Sequence, residues 1–182
     1  MNDRPWVPLG WRANPRRVLV LGESAYAGAY TPEQSLAVNW VPAYLRGDVR
    51  DGTYSKVANA VCGPTHGRGL PARRAFWNEV AFGNFVILGA GTRPNSDRPT
   101  KAEWQAGMGV LKVILADLQP AGVWVWGKEQ AEYSVPVIKD AGIKPVVVVS
   151  HPTRGYSHTI TESWAKLIAD VTLAIGPVCS VA

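Results

Sequence analysis

Val146-Val147-Val148-Val149-Ser150-His151-Pro152-Thr153-Arg154-Gly155-Tyr156-Ser157 is a four-valine run that opens into a polar loop. Four consecutive valines are too apolar for a strand with one wet face, so the run reads as a parallel strand covered on both sides. Its carboxyl end is where an open α/β sheet places ligands, and the loop there offers an imidazole, a hydroxyl, a guanidinium and an aromatic ring. A second apolar run, Arg17-Val18-Leu19-Val20-Leu21, ends in the same manner in Gly22-Glu23-Ser24-Ala25-Tyr26-Ala27-Gly28.

Working outward, strands are expected at residues 17–22, 83–88, 122–126 and 145–150, each a short apolar run bounded by Gly or Pro. Helices are expected at 33–46, 72–82, 101–118 and 160–175. In the third, Trp104, Met108, Leu111, Leu115 and Leu118 recur on one face; in the last, Ile160, Trp164, Leu167, Ile168 and Val171 do so. Strands joined by helix-length connections imply right-handed crossovers. The expected fold is a three-layer α/β/α sandwich around a short, mainly parallel four-stranded sheet. The stretch 23–82 exceeds one crossover, so it must hold one or two helices plus loops and part of it should wall the site. Neither a linker nor an internal repeat interrupts residues 1–182, which read as a single domain.

A chain of 182 residues can bury a substantial core without disulfides or metal. Cys62 and Cys179 match no metal-ligand spacing, and four thiolates for an iron–sulfur cluster are lacking. No His, Cys and carboxylate cluster has ligand spacing, so no cofactor is implied. The amino terminus lacks the apolar core of a signal peptide and no run could span a bilayer, which points to a soluble cytoplasmic protein, taken to be a monomer. Most of the eight tryptophans read as core: Trp124 and Trp126 in a strand, Trp104 and Trp164 on apolar helix faces.

The formal charge is +5, and its placement matters more than its size. Between Asp51 and Glu79 no acidic residue occurs, while Lys56, His66, Arg68, Arg73 and Arg74 lie in the interval. Its centre, residues 63–71, reads as a flexible Gly- and Pro-rich basic loop in which Arg68 and Arg73 suit phosphate contacts. A solvated surface loop is the equal alternative.

Four motifs carry a resemblance. The first strand ends in Gly22-Glu23-Ser24; a Trp77-Asn78-Glu79-Val80-Ala81-Phe82-Gly83-Asn84-Phe85-Val86 segment follows; then Val123-Trp124-Val125-Trp126-Gly127-Lys128; and finally His151-Pro152-Thr153. In this order, across residues 17 to 168, they resemble the uracil-DNA glycosylase superfamily. That resemblance implies an enzyme that flips a nucleotide out of DNA, hydrolyses its N-glycosidic bond and leaves an abasic site.

Such a reaction puts positive charge on the sugar and negative charge on the departing pyrimidine, chiefly at O2. His151 resembles the family histidine that donates a hydrogen bond to O2. Asn84 resembles the asparagine that reads the Watson–Crick edge, its amide suiting uracil or, after rotation, a cytosine derivative. Phe85 should face the other side of the sheet, so a stacking partner for the base is sought in Tyr26 or Phe82, with Gly22 beside them. Uracil-removing members carry a proline in the first motif, and this chain does not. The water-activating position aligns with Ser24, which could position a water but hardly deprotonate one; Glu23 is the nearby carboxylate if the loop turns it inward. Tyr26 aligns with the tyrosine that excludes a C5 methyl, but its small neighbours could admit a larger substituent. Two substrates therefore stay open: uracil, as in repair, and a C5-modified cytosine such as the hydroxymethylated or glucosylated base of phage DNA, as in defence. Arg154 or Tyr156 could wedge into the duplex; alternatively Arg154 contacts phosphate, with Thr153 and Ser157 on backbone oxygens. Rival readings are an esterase with Ser24 as nucleophile, His151 as base and Gly83-Asn84 as oxyanion donor, though Val148 stands where its acid should be, and a non-catalytic nucleic-acid-binding module.

Overall fold

The computed structural model describes residues 4–24, 37–86, 98–153 and 156–176. Four strands, β1 (Val18–Ser24), β2 (Val80–Val86), β3 (Gly122–Trp126) and β4 (Val146–Val149), form one all-parallel sheet in the order β2-β1-β3-β4. Around it lie α1 (Ala37–Arg46), α2 (Gly52–Val61), the single turn α3 (Gly63–His66), α4 (Leu70–Trp77), α5 (Lys101–Leu118), α6 (Lys128–Asp140) and α7 (Ser157–Ile175).

Alternation along the strands sorts the side chains into two cores. Val18 and Val20 of β1, Val80 and Phe82 of β2, Trp124 and Trp126 of β3 and Val147 and Val149 of β4 pack under α1, α2, α4 and α7. Leu19 and Leu21, Ala81 and Phe85, and Val123 and Val125 pack under α5 and α6 on the other face. The result is the three-layer α/β/α sandwich expected from the strand and helix periodicities. Both apolar helix faces point as their spacing requires: Trp104, Leu111, Leu115 and Leu118 lie in the second core and Ile160, Leu167 and Val171 in the first.

Several boundaries differ. The second strand starts at Val80 rather than 83, because the helix before it ends at Trp77 rather than 82. The Gly/Pro-rich stretch at 63–71 is not simply a loop: Gly63–His66 is a helical turn and α4 begins at Leu70, with Gly67 and Gly69 at positive φ making the link. Helices α2 and α6 went unread, the first because it is short and weakly apolar, the second because Pro136 interrupts it. Residues 33–36 of the expected first helix lie outside the described residues, and α1 runs from Ala37. The valine run is not covered on both sides: β4 is an edge strand and Val148 is 40% exposed. Four valines satisfy strand propensity equally well with one wet position.

The outer edge of β2 is partly covered by the amino-terminal segment. Trp6 forms an antiparallel bridge to Phe82, with N–H···O distances of 2.8 and 2.9 Å, and its indole donates to the Trp77 carbonyl at 3.0 Å. On the opposite face α5 presses against β2 where it has no side chain: a Cβ built on Gly107 would lie 2.5 Å from the Phe85 carbonyl oxygen. Because that neighbour is backbone, Gly107→Ala is expected to lower the free energy of unfolding by about 1–2 kcal/mol despite alanine's better helix propensity. Urea denaturation checks this; an unchanged midpoint would mean that the helix can slide without cost.

Candidate active site

Strand order reverses direction between β1 and β3: the chain leaves β1 for β2 on one side and returns to β3 on the other. Such a switch point opens a crevice at the strand carboxyl ends. Here the opening is visible in the register. Pairing of β1 with β3 ends at Leu21↔Val125, while β1 continues to Ser24 alongside β2 alone, with Gly22↔Asn84 and Ser24↔Val86. Fully buried Gln130, in the first turn of α6, fills the gap in the ladder: its Nε2 donates to the carbonyls of both Leu21 and Trp126 at 2.9 Å.

Three expected site residues meet beside this crevice. A Cβ on Gly22 would lie 2.5 Å from Asn84 Oδ1 and 3.1 Å from the Phe82 ring, so amide and ring both rest on the glycine backbone. Only glycine allows that approach. Phe82 is in turn walled by Tyr54, Trp77 and Trp126, at ring separations of 5.1, 5.5 and 5.8 Å. It is 2% exposed, so it belongs to a rigid aromatic floor and its position is set by packing. Phe85 faces away, stacked on Trp104 in the other core.

Ser24 and Glu23, adjacent in β1, alternate to opposite faces. Ser24 shares the face of Gly22 and Asn84; its Oγ is buried and has no hydrogen-bond partner among the described residues. Glu23, 6% exposed, is engaged by Arg98 through both guanidinium Nη atoms, one to Oε1 and the other to Oε2 at 3.0 Å. The same Arg98 also binds Glu129 in the first turn of α6. Burial alone would lower the Arg98 pKa, but the hydrogen bonds and charges of Glu23 and Glu129 raise it above the ordinary arginine range. Glu23 is thus not turned inward toward Asn84.

His151 lies just past the end of β4, in a loop anchored by Lys56 of α2, whose Nζ donates to the Pro152 carbonyl at 2.9 Å. Pro152 is buried and His151 half-buried. The Thr153 backbone N–H reaches His151 Nδ1 at 3.4 Å, and the Thr153 hydroxyl lies 2.9 Å from the same nitrogen. An amide N–H can only donate, so this contact suits a ring whose Nδ1 accepts and whose Nε2 is the donor. Asn84 is on one edge strand, β2, and His151 follows the other, β4, at the same end of the sheet; the two strands are three ladder spacings or roughly 14 Å apart, with the β1–β3 gap between them.

The expected DNA contacts divide. Tyr156 is 75% exposed and stacks on His158 at 5.7 Å; Thr153, Ser157 and Arg68 are also exposed. Arg73 is not a free surface cation: its guanidinium lies 4.9 Å over the Tyr44 ring and its Nε is buried, tying α4 to α1. Tyr26 and Arg154 lie outside the described residues. The esterase arrangement is not assembled, because Ser24 Oγ bonds to no imidazole and sits on β1 while His151 follows β4, two strands away. Sequence reading missed Arg98, Gln130 and Glu129. The capping pair Thr100–Glu103 marks the start of α5 and so places Arg98 beside a helix end, but no local signal names its partners.

Among the described residues no group of three His, Cys, Asp or Glu side chains could hold a metal ion, and no helix is long and apolar enough to cross a membrane. No protein-family model and no curated protein matches this chain. The Gly22–Asn84 contact can be tested directly: Gly22→Ala should displace the Asn84 amide while leaving the fold intact. Any activity that uses the Asn84 amide should then fall about as far as in Asn84→Ala, and activity retained at the wild-type rate would show that the amide does not act from this position.

Proposed function

We propose that the protein is a DNA glycosylase that extrudes a pyrimidine nucleotide and hydrolyses its N-glycosidic bond, leaving an abasic site. The observation that supports it is that an amide resting on the Gly22 backbone and the imidazole that follows β4 lie at the same, carboxyl end of the sheet. In this reading the flipped base enters at the β1–β3 switch point, above the aromatic floor that holds Phe82. Asn84 reads its Watson–Crick edge. His151 donates from Nε2 to O2 as negative charge develops there, and a neutral donor suffices when it is preorganised. Ser24, a buried hydroxyl without a partner among the described residues, holds the water that attacks the sugar; such orphan groups are ordinarily satisfied by water. The cationic sugar is electrophilic enough that positioning the water replaces deprotonating it.

Tyr156, exposed beside the histidine loop, is suited to fill the space that the flipped nucleotide leaves. Arg68 supplies a phosphate contact from the basic 51–79 interval. The base is uracil, as in repair, or a C5-modified cytosine of the hydroxymethylated or glucosylated kind, as in defence against phage; the acting form is taken to be a monomer in the cytoplasm.

Alkaline cleavage of oligonucleotides carrying uracil, a thymine mismatch, hydroxymethylcytosine or its glucosylated form reads reaction and substrate together. His151→Ala should slow release by about 10²–10³-fold, the cost of removing one preorganised donor to a developing anion. Asn84→Ala should lose both rate and selectivity. Normal excision by both variants would dismiss these roles, and DNA binding without release of any base would favour a non-catalytic module.

Binding assays separate the two arginines. Arg68→Ala should weaken DNA binding and reduce the salt slope by about one, as expected for a lost phosphate contact. Arg73→Ala should instead lower thermal stability with the slope unchanged. A reversed pattern would show that the packing over Tyr44 has been misassigned.

A further inference from the structure

We infer that Arg98 is a positioning residue that ties the end of β1 to the start of α6 across the β1–β3 gap, so that Glu23 serves as an anchor and not as the base that activates water. The inference rests on the glycosylase reading for its catalytic consequence, and on geometry alone for the clamp.

The two carboxylates that Arg98 joins come from the two sides of the crevice. Glu23 stands between Gly22 and Ser24 on β1, and Glu129 follows the end of β3 by three residues. Arg98 approaches from a third element, two residues before the Thr100–Glu103 capping box that opens α5; Thr100 Oγ1 accepts from the Glu103 amide at 3.3 Å, and the Glu103 carboxylate accepts from the Thr100 amide at 2.7 Å. The guanidinium is therefore carried by a well-defined helix start rather than by a free loop end.

Glu23 has little freedom to do anything else. Its side chain is 8% exposed, and a carboxylate so buried must be paired. Both of its oxygens accept from Arg98 in the planar two-point geometry that favours arginine over lysine. Oε2 also rests 3.1 Å from where a Cβ on Gly127 would stand, so the carboxylate packs against the β3–α6 turn, which only glycine can make at a φ of 127°. Swinging it to the Asn84 face would break both hydrogen bonds and reverse the alternation of β1. Arg98 acts on the reaction through Gly22 and Ser24, the two neighbours of its anchor, by fixing how far the end of β1 stands from β3.

Single-turnover excision by the full chain, measured across pH on the base that the wild type releases, tests this. Glu23→Gln and Arg98→Met should each slow excision by a similar factor, on the order of 10²-fold as for a misplaced site. Their double variant should be no slower than either, and the shape of the pH profile should persist. Arg98→Lys should recover part of the rate, and Glu129→Gln, which removes only the more exposed arm, should show a smaller fall in the same direction. Abolition of excision by Glu23→Gln, with loss of the acid limb of the profile and near-normal excision by Arg98→Met, would overturn the proposal by making Glu23 the base. A wild-type chain that releases no base from any of the oligonucleotides removes the glycosylase reading, and the clamp is then judged by unfolding. Non-additive losses in the Glu23→Gln and Arg98→Met cycle support it; additive losses overturn it.

Discussion

Strand β1 is hydrogen-bonded along both edges and buried on both faces, and everything at the crevice follows from how its seven residues alternate. Val18 and Val20 enter one core and Leu19 and Leu21 the other. The same alternation, continued past the point where β3 stops pairing, sends Ser24 toward Asn84 and Glu23 toward Arg98. One strand thus supplies a buried hydroxyl on one face and an arginine-bound carboxylate on the other from adjacent positions. A slip of one residue would exchange them, but the double burial of the strand prevents it.

Around that strand the crevice is held in shape by groups that do not meet a substrate. The aromatic cluster of Tyr54, Trp77, Phe82 and Trp126 is built from edge-to-face and stacked pairs, which resist the small shifts an aliphatic core would tolerate. Gln130 closes the broken ladder with two hydrogen bonds from one amide nitrogen. Lys56 holds the Pro152 carbonyl, and Thr153 contacts the Nδ1 side of the His151 ring. Each of these supports is the kind of outer interaction that keeps a site within fractions of an ångström of its working geometry.

Charge is distributed in keeping with this division. The buried carboxylate beside the crevice is neutralised by a guanidinium that also reaches Glu129, so no unpaired negative charge is left at Glu23 to repel an anionic backbone. The exposed polar groups of the histidine loop, Thr153 and Ser157, and the ring of Tyr156 stand outside it. Arg73, although part of the basic interval, serves the helix layer through Tyr44.

How much could be read before folding depends on whether a property is local. Periodicity is local: the apolar stripes of α5 and α7 and the short apolar runs of the strands announce themselves within a few residues, and they were enough for the layer architecture. So was the placement of Gly22 and His151 at strand carboxyl ends, since each directly ends or follows a recognisable run; Asn84 was expected near the start of a strand at 83–88, and the strand's actual span, Val80–Val86, puts it toward the carboxyl end. Pro136 inside α6 and the shortness of α2 hid these two helices, whose helicity is sustained by packing rather than by propensity. The partners of Glu23 and Arg73 come from elsewhere in the chain, Arg98 for the first, 75 residues away, and Tyr44 of a neighbouring helix in the same layer for the second. The sequence by itself determined the strands, the two best helices and which polar residues follow the strand ends, because backbone preference and hydrophobic period are written into neighbouring residues. Only the tertiary structure decided that β4 has a wet edge, that Gly22 makes room for Asn84, and that the carboxylate of Glu23 is bound, because register, burial and ion pairing depend on what another part of the chain brings alongside.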